Sequence, residues 1–292
     1  MLLDKEIDSR NKNIQIYING SFYQRDEAKI SVYDSGFLMG DGIWEGLRLV
    51  NNKWIFIDEH IDRLFEGCKA IDLDINMTKK DIFNALEETK TINNMSNDVH
   101  ARLMITRGNK SKPFQQPNLS ESGINIVIIM EHSKSNTETK NITMATVPQV
   151  RGMPMSQDPK LNSHSKLNCI LACIQANKLG ADEALMLDPL GFVNTTNSCN
   201  FFIVKNNQVW TSTGDYCMNG VTRQNVINLC KENNIAIYEK NFSLVDVYSA
   251  DEAFITGTLG SLTNVISIDN RKIGIDSNPV TDTLRKYYKK LL

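Results

Sequence analysis

A chain of 292 residues that is 41% hydrophobic is long enough to bury one large core or two modest ones. Its 32 basic and 34 acidic side chains leave a formal charge of -2, with no cationic surplus to suit a nucleic-acid backbone. The stretch from Met1 to Glu6 turns charged at once, and no apolar run approaches the roughly 18 residues of a membrane span, so a cytoplasmic protein is expected. The six cysteines include no C-x-x-C pair and read as reduced thiols; Cys169 and Cys173 lie four apart, but no second pair completes a metal site.

Short strands open the chain. Ile14 to Ile18 alternates, Asn19-Gly20 is a hairpin signal, and Ser21 to Tyr23 starts the return. Ile43 to Val50 alternates as a half-buried strand, and Asn51-Asn52 turns it into a second strand over Trp54 to Ile57. Asp58 fits an N-cap, with Ile61, Leu64, Phe65 and Cys68 at helical spacing behind it. A helix over about 79–89 and strands over 101–106 and 124–130 complete one α+β unit, assigned to residues 1–131. The polar, turn-rich stretch 132–140 reads as a linker. A second unit, 141–292, is expected to hold helices near 166–179, 222–233 and 281–291, with strands over 184–187, 201–204, 209–211, 236–239 and 252–256.

Two places could meet an anion. Gly220-Val221-Thr222 starts an apolar-periodic helix, where backbone N–H groups gather, although a plain cap has the same appearance. Thr256-Gly257-Thr258-Leu259-Gly260-Ser261 follows a strand and offers hydroxyl and N–H groups, or is simply a tight turn.

The order of these pieces carries more than any one of them. Asp34 to Arg48 (DSGFLMGDGIWEGLR), His60-Ile61-Asp62-Arg63-Leu64, Thr106-Arg107-Gly108, Asp182-Glu183-Ala184, Gly220-Val221-Thr222-Arg223 and Thr256-Gly257-Thr258 resemble, over nearly the whole chain, the class IV pyridoxal-phosphate aminotransferases. That group includes branched-chain aminotransferases, D-amino-acid aminotransferases and aminodeoxychorismate lyases. The resemblance implies fold type IV: a small α/β-sandwich N-terminal domain, a larger C-terminal domain with a barrel-like sheet, and a homodimer. It also implies pyridoxal 5'-phosphate as cofactor, held at the phosphate by Arg63, Val221, Thr222 and Thr258. Arg107 and Leu259 stand at substrate-facing positions.

Two positions depart from that pattern. Asn162 stands where the family has its Schiff-base lysine, and Thr195 where a glutamate holds the cofactor's ring nitrogen. An amide nitrogen is neither a usable nucleophile nor a base. Lys160 and Lys166 are the replacement candidates, and Lys166 is preferred because it stands where related chains place a tyrosine near the cofactor. His164, between Asn162 and Lys166, suits a proton shuttle near neutral pH, while a structural histidine in a turn is the plainer reading. A neutral Thr195 leaves the ring less electron-demanding, which gives weight to elimination or racemisation.

The expected function is therefore a pyridoxal-phosphate enzyme acting on a small amino acid with a 2-oxo acid as partner, a transaminase with Lys166 relocated into the lysine's role. The alternatives are a lyase, dehydratase or racemase, a cofactor-free enzyme or phosphometabolite-binding protein, and a non-catalytic dimer partner. Among the arginines, Arg48, Arg102 and Arg107 are candidate carboxylate clamps; Arg102 and Arg107 should face opposite sides of one strand, so at most one lines the pocket, and a surface salt bridge is an equal alternative for Arg107. The loop Asn109 to Phe114 lacks the Arg and His that D-amino-acid aminotransferases place there.

Overall fold

The computed structural model describes residues 8–133, 141–274 and 277–292, so most of the expected linker lies outside the described residues. The described residues divide into an N-terminal unit, 8–133 with Asn162–Lys166, and a C-terminal unit, 141–161 with 167–274 and 277–292. The five residues 162–166 thus pack with the N-terminal unit, although the sequence pattern assigned everything beyond residue 140 to the second one.

The N-terminal unit runs β1 (Gln15–Ile18), β2 (Ser21–Gln24), α1 (Ser35–Met39), β3 (Gly42–Val50), β4 (Lys53–Trp54), α2 (Ile57–Ala70), α3 (Lys79–Ile92), β5 (Val99–Thr106) and β6 (Asn125–His132). Its sheet has the order β2-β1-β6-β5-β3-β4. Because side chains alternate along a strand, Ile43, Leu47 and Leu49 of β3 share one face with Ala101, Leu103 and Ile105 of β5. That face is covered by α2 and α3 through Ile61, Leu64, Cys68, Ile82 and Leu86, all buried. The opposite face carries Gly42, Trp44, Gly46 and Arg48, paired with Thr106, Met104, Arg102 and His100.

Two local expectations change. The strand expected over Trp54 to Ile57 stops at Trp54, because Phe56 takes a left-handed φ of 53° and α2 starts at Ile57. Phe56 is the N-cap and donates no side-chain cap, so Asp58 sits inside the first turn with Glu59, where both carboxylates favour the helix dipole.

The C-terminal unit contains β7 (Ile142–Thr146), α4 (Pro154–Gln157), α5 (Leu167–Lys178), β8 (Glu183–Leu187), β9 (Val193–Thr196), β10 (Asn200–Lys205), β11 (Gln208–Thr211), α6 (Val221–Glu232), β12 (Ile237–Glu239), α7 (Leu244–Tyr248), β13 (Glu252–Gly257), β14 (Ser261–Ile268), β15 (Arg271–Lys272) and α8 (Pro279–Lys289). The strand order β10-β13-β14-β7-β8-β9 closes on itself, since β9 also pairs with β10, which makes the barrel-like sheet that the resemblance implied. Across β10 and β13, Phe202 faces Phe254 with rings stacked 4.9 Å apart, while Phe201, Ile203, Ala253 and Ile255 build the core on the other face. Among the described residues no helix is long and apolar enough to cross a membrane.

Candidate active site

The segment Asn162–Lys166 adds to the Gly42–Trp44 end of β3 as a short antiparallel pairing. Ser163 bridges Ile43, the Trp44 N–H donates to the Asn162 carbonyl at 3.0 Å, and the His164 N–H donates to the Gly42 carbonyl at 2.9 Å. Side chains reinforce the backbone: Asn162 Nδ2 donates to the Trp44 carbonyl at 2.6 Å, and Trp44 Nε1 to the Ser163 carbonyl at 3.1 Å. Glycine is required at position 42, because a Cβ there would stand 2.5 Å from the Ile105 carbonyl oxygen and 3.0 Å from the His164 ring.

Trp44 collects the charges of this region. The Arg102 guanidinium lies 3.9 Å from its ring centroid and the Lys166 ammonium 5.5 Å. Arg102 has no carboxylate partner among the described residues, and burial alone lowers its pKa. Burial, and then the charge of Arg102, holds His100 down to about 4; burial likewise lowers His164. Lys160, the other candidate lysine, is exposed in a turn whose N–H is taken by Asp158 Oδ1 at 2.9 Å.

Arg63 lies on α2 in a bidentate pair with Glu45: Nε to Oε1 at 2.8 Å and Nη2 to Oε2 at 2.7 Å, with His60 Nδ1 at 2.7 Å from the same Oε2. Glu45 is fully buried; burial pushes its carboxyl up, but the bonds to His60 and Arg63 outweigh that and leave it below the ordinary value. Arg107, expected to face substrate, spends its guanidinium elsewhere. It pairs with Asp41 at 2.8 Å and donates to the Ile71 and Asp72 carbonyls at 2.7 and 2.9 Å, tying β5 to the end of α2. Of the three arginines weighed as carboxylate clamps, Arg102 has the setting that an anion needs.

In the C-terminal unit the remaining candidates gather around Asn200, a residue that no sequence motif singled out. Asn200 pairs with Thr195 on one side and Thr256 on the other, and its Nδ2 donates to the Met218 carbonyl at 2.9 Å. Its Oδ1 would lie 2.3 Å from a Cβ on Gly220, so glycine is what lets the start of α6 approach. Gly220 is the N-cap of α6 and, having no side chain, makes no side-chain cap bond to the N–H groups that open the helix. Thr258 and Leu259 sit in the three-residue connection between β13 and β14, next to Gly257, which packs on Cys199. Thr256 Oγ1 is buried without a partner. Thr195 is buried, and its hydroxyl donates to the Cys199 carbonyl at 2.8 Å. Backbone N–H groups at the start of a twelve-residue helix, which its N-cap glycine leaves without a side-chain cap, are of the kind that suits an anion.

Trp44 and Asn200 were legible only as a strand residue and a loop residue. Nothing in their local spacing marks them; the pairing of distant strands gives them their place.

Comparison with known proteins agrees with this architecture. The family model described as Amino-transferase class IV matches residues 42–268. "Branched-chain-amino-acid aminotransferase-like protein 2" of Arabidopsis thaliana is 36% identical over 96% of this chain, and the chain spans 51% of that protein's length. A "Putative branched-chain-amino-acid aminotransferase" of Methanocaldococcus jannaschii is 36% identical over 94% of this chain and 96% of its own. Among solved structures, the branched-chain aminotransferase of the thermophilic archaeon Thermoproteus uzoniensis with norvaline superposes with a TM-score of 0.87 at 26% identity, over 95% of this chain and 94% of that one. A chain matched by the family model over most of its length, closed on a barrel-like sheet and aligned end to end with such relatives, belongs to the class IV aminotransferase family.

Proposed function

We propose that the chain is a pyridoxal-phosphate-dependent enzyme acting on the amino group of a small amino acid, a transaminase in which Lys166 supplies the amine that Asn162 lacks. The phosphate end of the cofactor fits the structure. The uncapped start of α6 at Val221 and Thr222, with Gly220 fitted closely against Asn200, is the setting that a phosphate dianion needs. Thr258 would add a hydroxyl, and Arg63 its charge, already shared with Glu45. When bound, the cofactor supplies an electron-withdrawing ring and an aldehyde.

The observation that carries the reading is the location of Lys166. It lies in the segment that β3 holds, with its ammonium against Trp44 and Arg102 on the same ring, whereas Lys160 is exposed in a turn. Arg102 then receives the substrate carboxylate, and the neutral His164 ring is the proton carrier beside Lys166. The solvent-facing Leu167, Ile170, Leu171 and Ile174 of α5 support assembly as a homodimer, because an apolar stripe on a surface helix calls for cover.

Thr195 favours a second reading. Its hydroxyl proton is engaged by a carbonyl and it carries no charge, so it does not hold a ring nitrogen protonated as a carboxylate does. Elimination or racemisation then competes with transfer.

The purified chain should take up pyridoxal phosphate, turn yellow, and after borohydride reduction carry the label on Lys166 by peptide mass mapping. Lys166→Ala should lose the label and on the order of 10²–10⁴-fold in turnover. No uptake of cofactor sinks the reading, and a label on Lys160 moves the amine. Ammonia released without any acceptor acid identifies elimination.

A further inference from the structure

Asn162 is 4% exposed, and the orientation of its amide is fixed: Nδ2 donates to the Trp44 carbonyl at 2.6 Å, so Oδ1 is the buried atom left over. Turning the amide over would set oxygen against oxygen. Oδ1 has no hydrogen-bond partner, and a buried acceptor without a donor is costly. Two residues on, His164 Nε2 is also buried and without a partner. Burial lowers the pKa of this ring, and a neutral imidazole can present a lone pair at Nε2.

The same segment is flanked by two cations, Arg102 and Lys166, both against Trp44. Their field draws an anion and disfavours a second full positive charge. A ligand that satisfies both features carries a carboxylate for the cations and neutral N–H groups for the acceptors. An α-amino acid whose amine is held unprotonated by the neighbouring cations meets that description. An acid of the same shape with a methyl group in place of the amine meets only half of it.

We propose that Asn162 Oδ1 is the amine-recognition atom of this site, accepting an N–H of the substrate's α-amino group and so selecting amino acids at the binding step. The inference rests on the amino-acid reading of the site, but it depends neither on the cofactor nor on Lys166 as its partner.

The probes are 2-methylleucine, which has no α-hydrogen to lose, and 2,2,4-trimethylpentanoate, in which methyl replaces the amine. Their affinities for the chain as isolated are measured by calorimetry in wild type, Asn162→Leu and Asn162→Asp. Wild type should prefer the amine by about tenfold or more, the worth of one hydrogen bond to a buried acceptor. Asn162→Leu should bring that ratio to about one by weakening the amino acid alone. Asn162→Asp keeps an acceptor oxygen but sets its other oxygen against the Trp44 carbonyl, so it should weaken both probes while keeping the preference for the amine. A general loss of folding weakens both probes in both variants, so a preference lost in Asn162→Leu and kept in Asn162→Asp reports recognition. A wild type that binds both probes alike, or an Asn162→Leu protein with an unchanged ratio, overturns the proposal. If neither probe binds wild type, the amino-acid substrate class fails with it, whether or not pyridoxal phosphate is taken up.

Discussion

In the C-terminal unit α6 starts at a glycine that supplies no side-chain cap to its backbone N–H groups, while in the N-terminal unit the segment on β3 offers buried acceptors without donors. The first surplus suits an anion and the second an amine. They also differ in what builds them. The proposed anion cup is made of backbone, with a glycine fitted against Asn200. The amine end depends on the atoms of one side chain, so exchanging a lysine for Asn162 inverts it from a donor to an acceptor while the backbone pairing with β3 stays in place. A change of reaction or of ligand therefore has its natural place in the β3 segment, not in the cup.

The largest expected effect tests whether Arg63 belongs to the cup or to the core of its own unit. Glu45 is fully buried and receives both Arg63 and His60. Glu45→Gln should cost about 3–5 kcal/mol in urea denaturation, because removing one partner strands the others in a buried site. If stability holds and phosphate binds more tightly instead, Arg63 is a ligand arginine restrained by Glu45.

The fold was legible because its signals are periodic. Alternation in β3 and the Asn19-Gly20 turn marked strands and a hairpin that the structure contains, and the barrel followed from the resemblance. Less was legible where tertiary packing decides. Nothing in the run Asn162 to Lys166 says that it leaves its own unit to pair with β3, since its partner lies about 120 residues earlier. Arg107 showed the same limit: the sequence left a carboxylate clamp and a salt bridge equally open, and the fold pairs it with Asp41 and the carbonyls at the end of α2. Asp58 looked like a cap because its type is right, and the left-handed Phe56 took the cap position instead and started the helix earlier.

A smaller effect is expected at Gly220. A methyl group there meets Asn200 Oδ1 at 2.3 Å, and Asn200 is held by its bond to the Met218 carbonyl. Gly220→Ala should destabilise the protein by about 1–3 kcal/mol through overpacking, and weaken pyridoxal phosphate or inorganic phosphate about tenfold as the N–H groups retreat from the ligand. The preference for amine over methyl probes should be unchanged, since it belongs to the other unit. Should Gly220→Ala bind phosphate as wild type does, the cup is not at the start of α6.

The smallest effect separates the units by pH. All four histidines, His60, His100, His132 and His164, fall within the N-terminal unit, and burial lowers the pKa of three of them, His100 to about 4. Above the ordinary value of 6.5 both folded and unfolded chains hold a neutral His100, and its contribution to stability is complete. As pH falls below 6.5 the unfolded chain takes the proton first, so stability declines until the folded ring also protonates near 4. Glu45 extends the loss to lower pH, because its carboxyl lies below the ordinary value in the folded state and its stabilisation disappears as pH drops through that folded pKa. Each such group adds a slope of at most about 1.4 kcal/mol per pH unit. Hydrogen exchange at pH 7 and pH 5, corrected for intrinsic rates, should therefore show protection falling in β3, β5 and α2 and holding in β10, β13 and α6. His100→Leu should flatten part of the decline in the first set. Equal losses in both units would mean that the acid response is carried by carboxylates throughout the chain, and the contrast between the units would not extend to their titration.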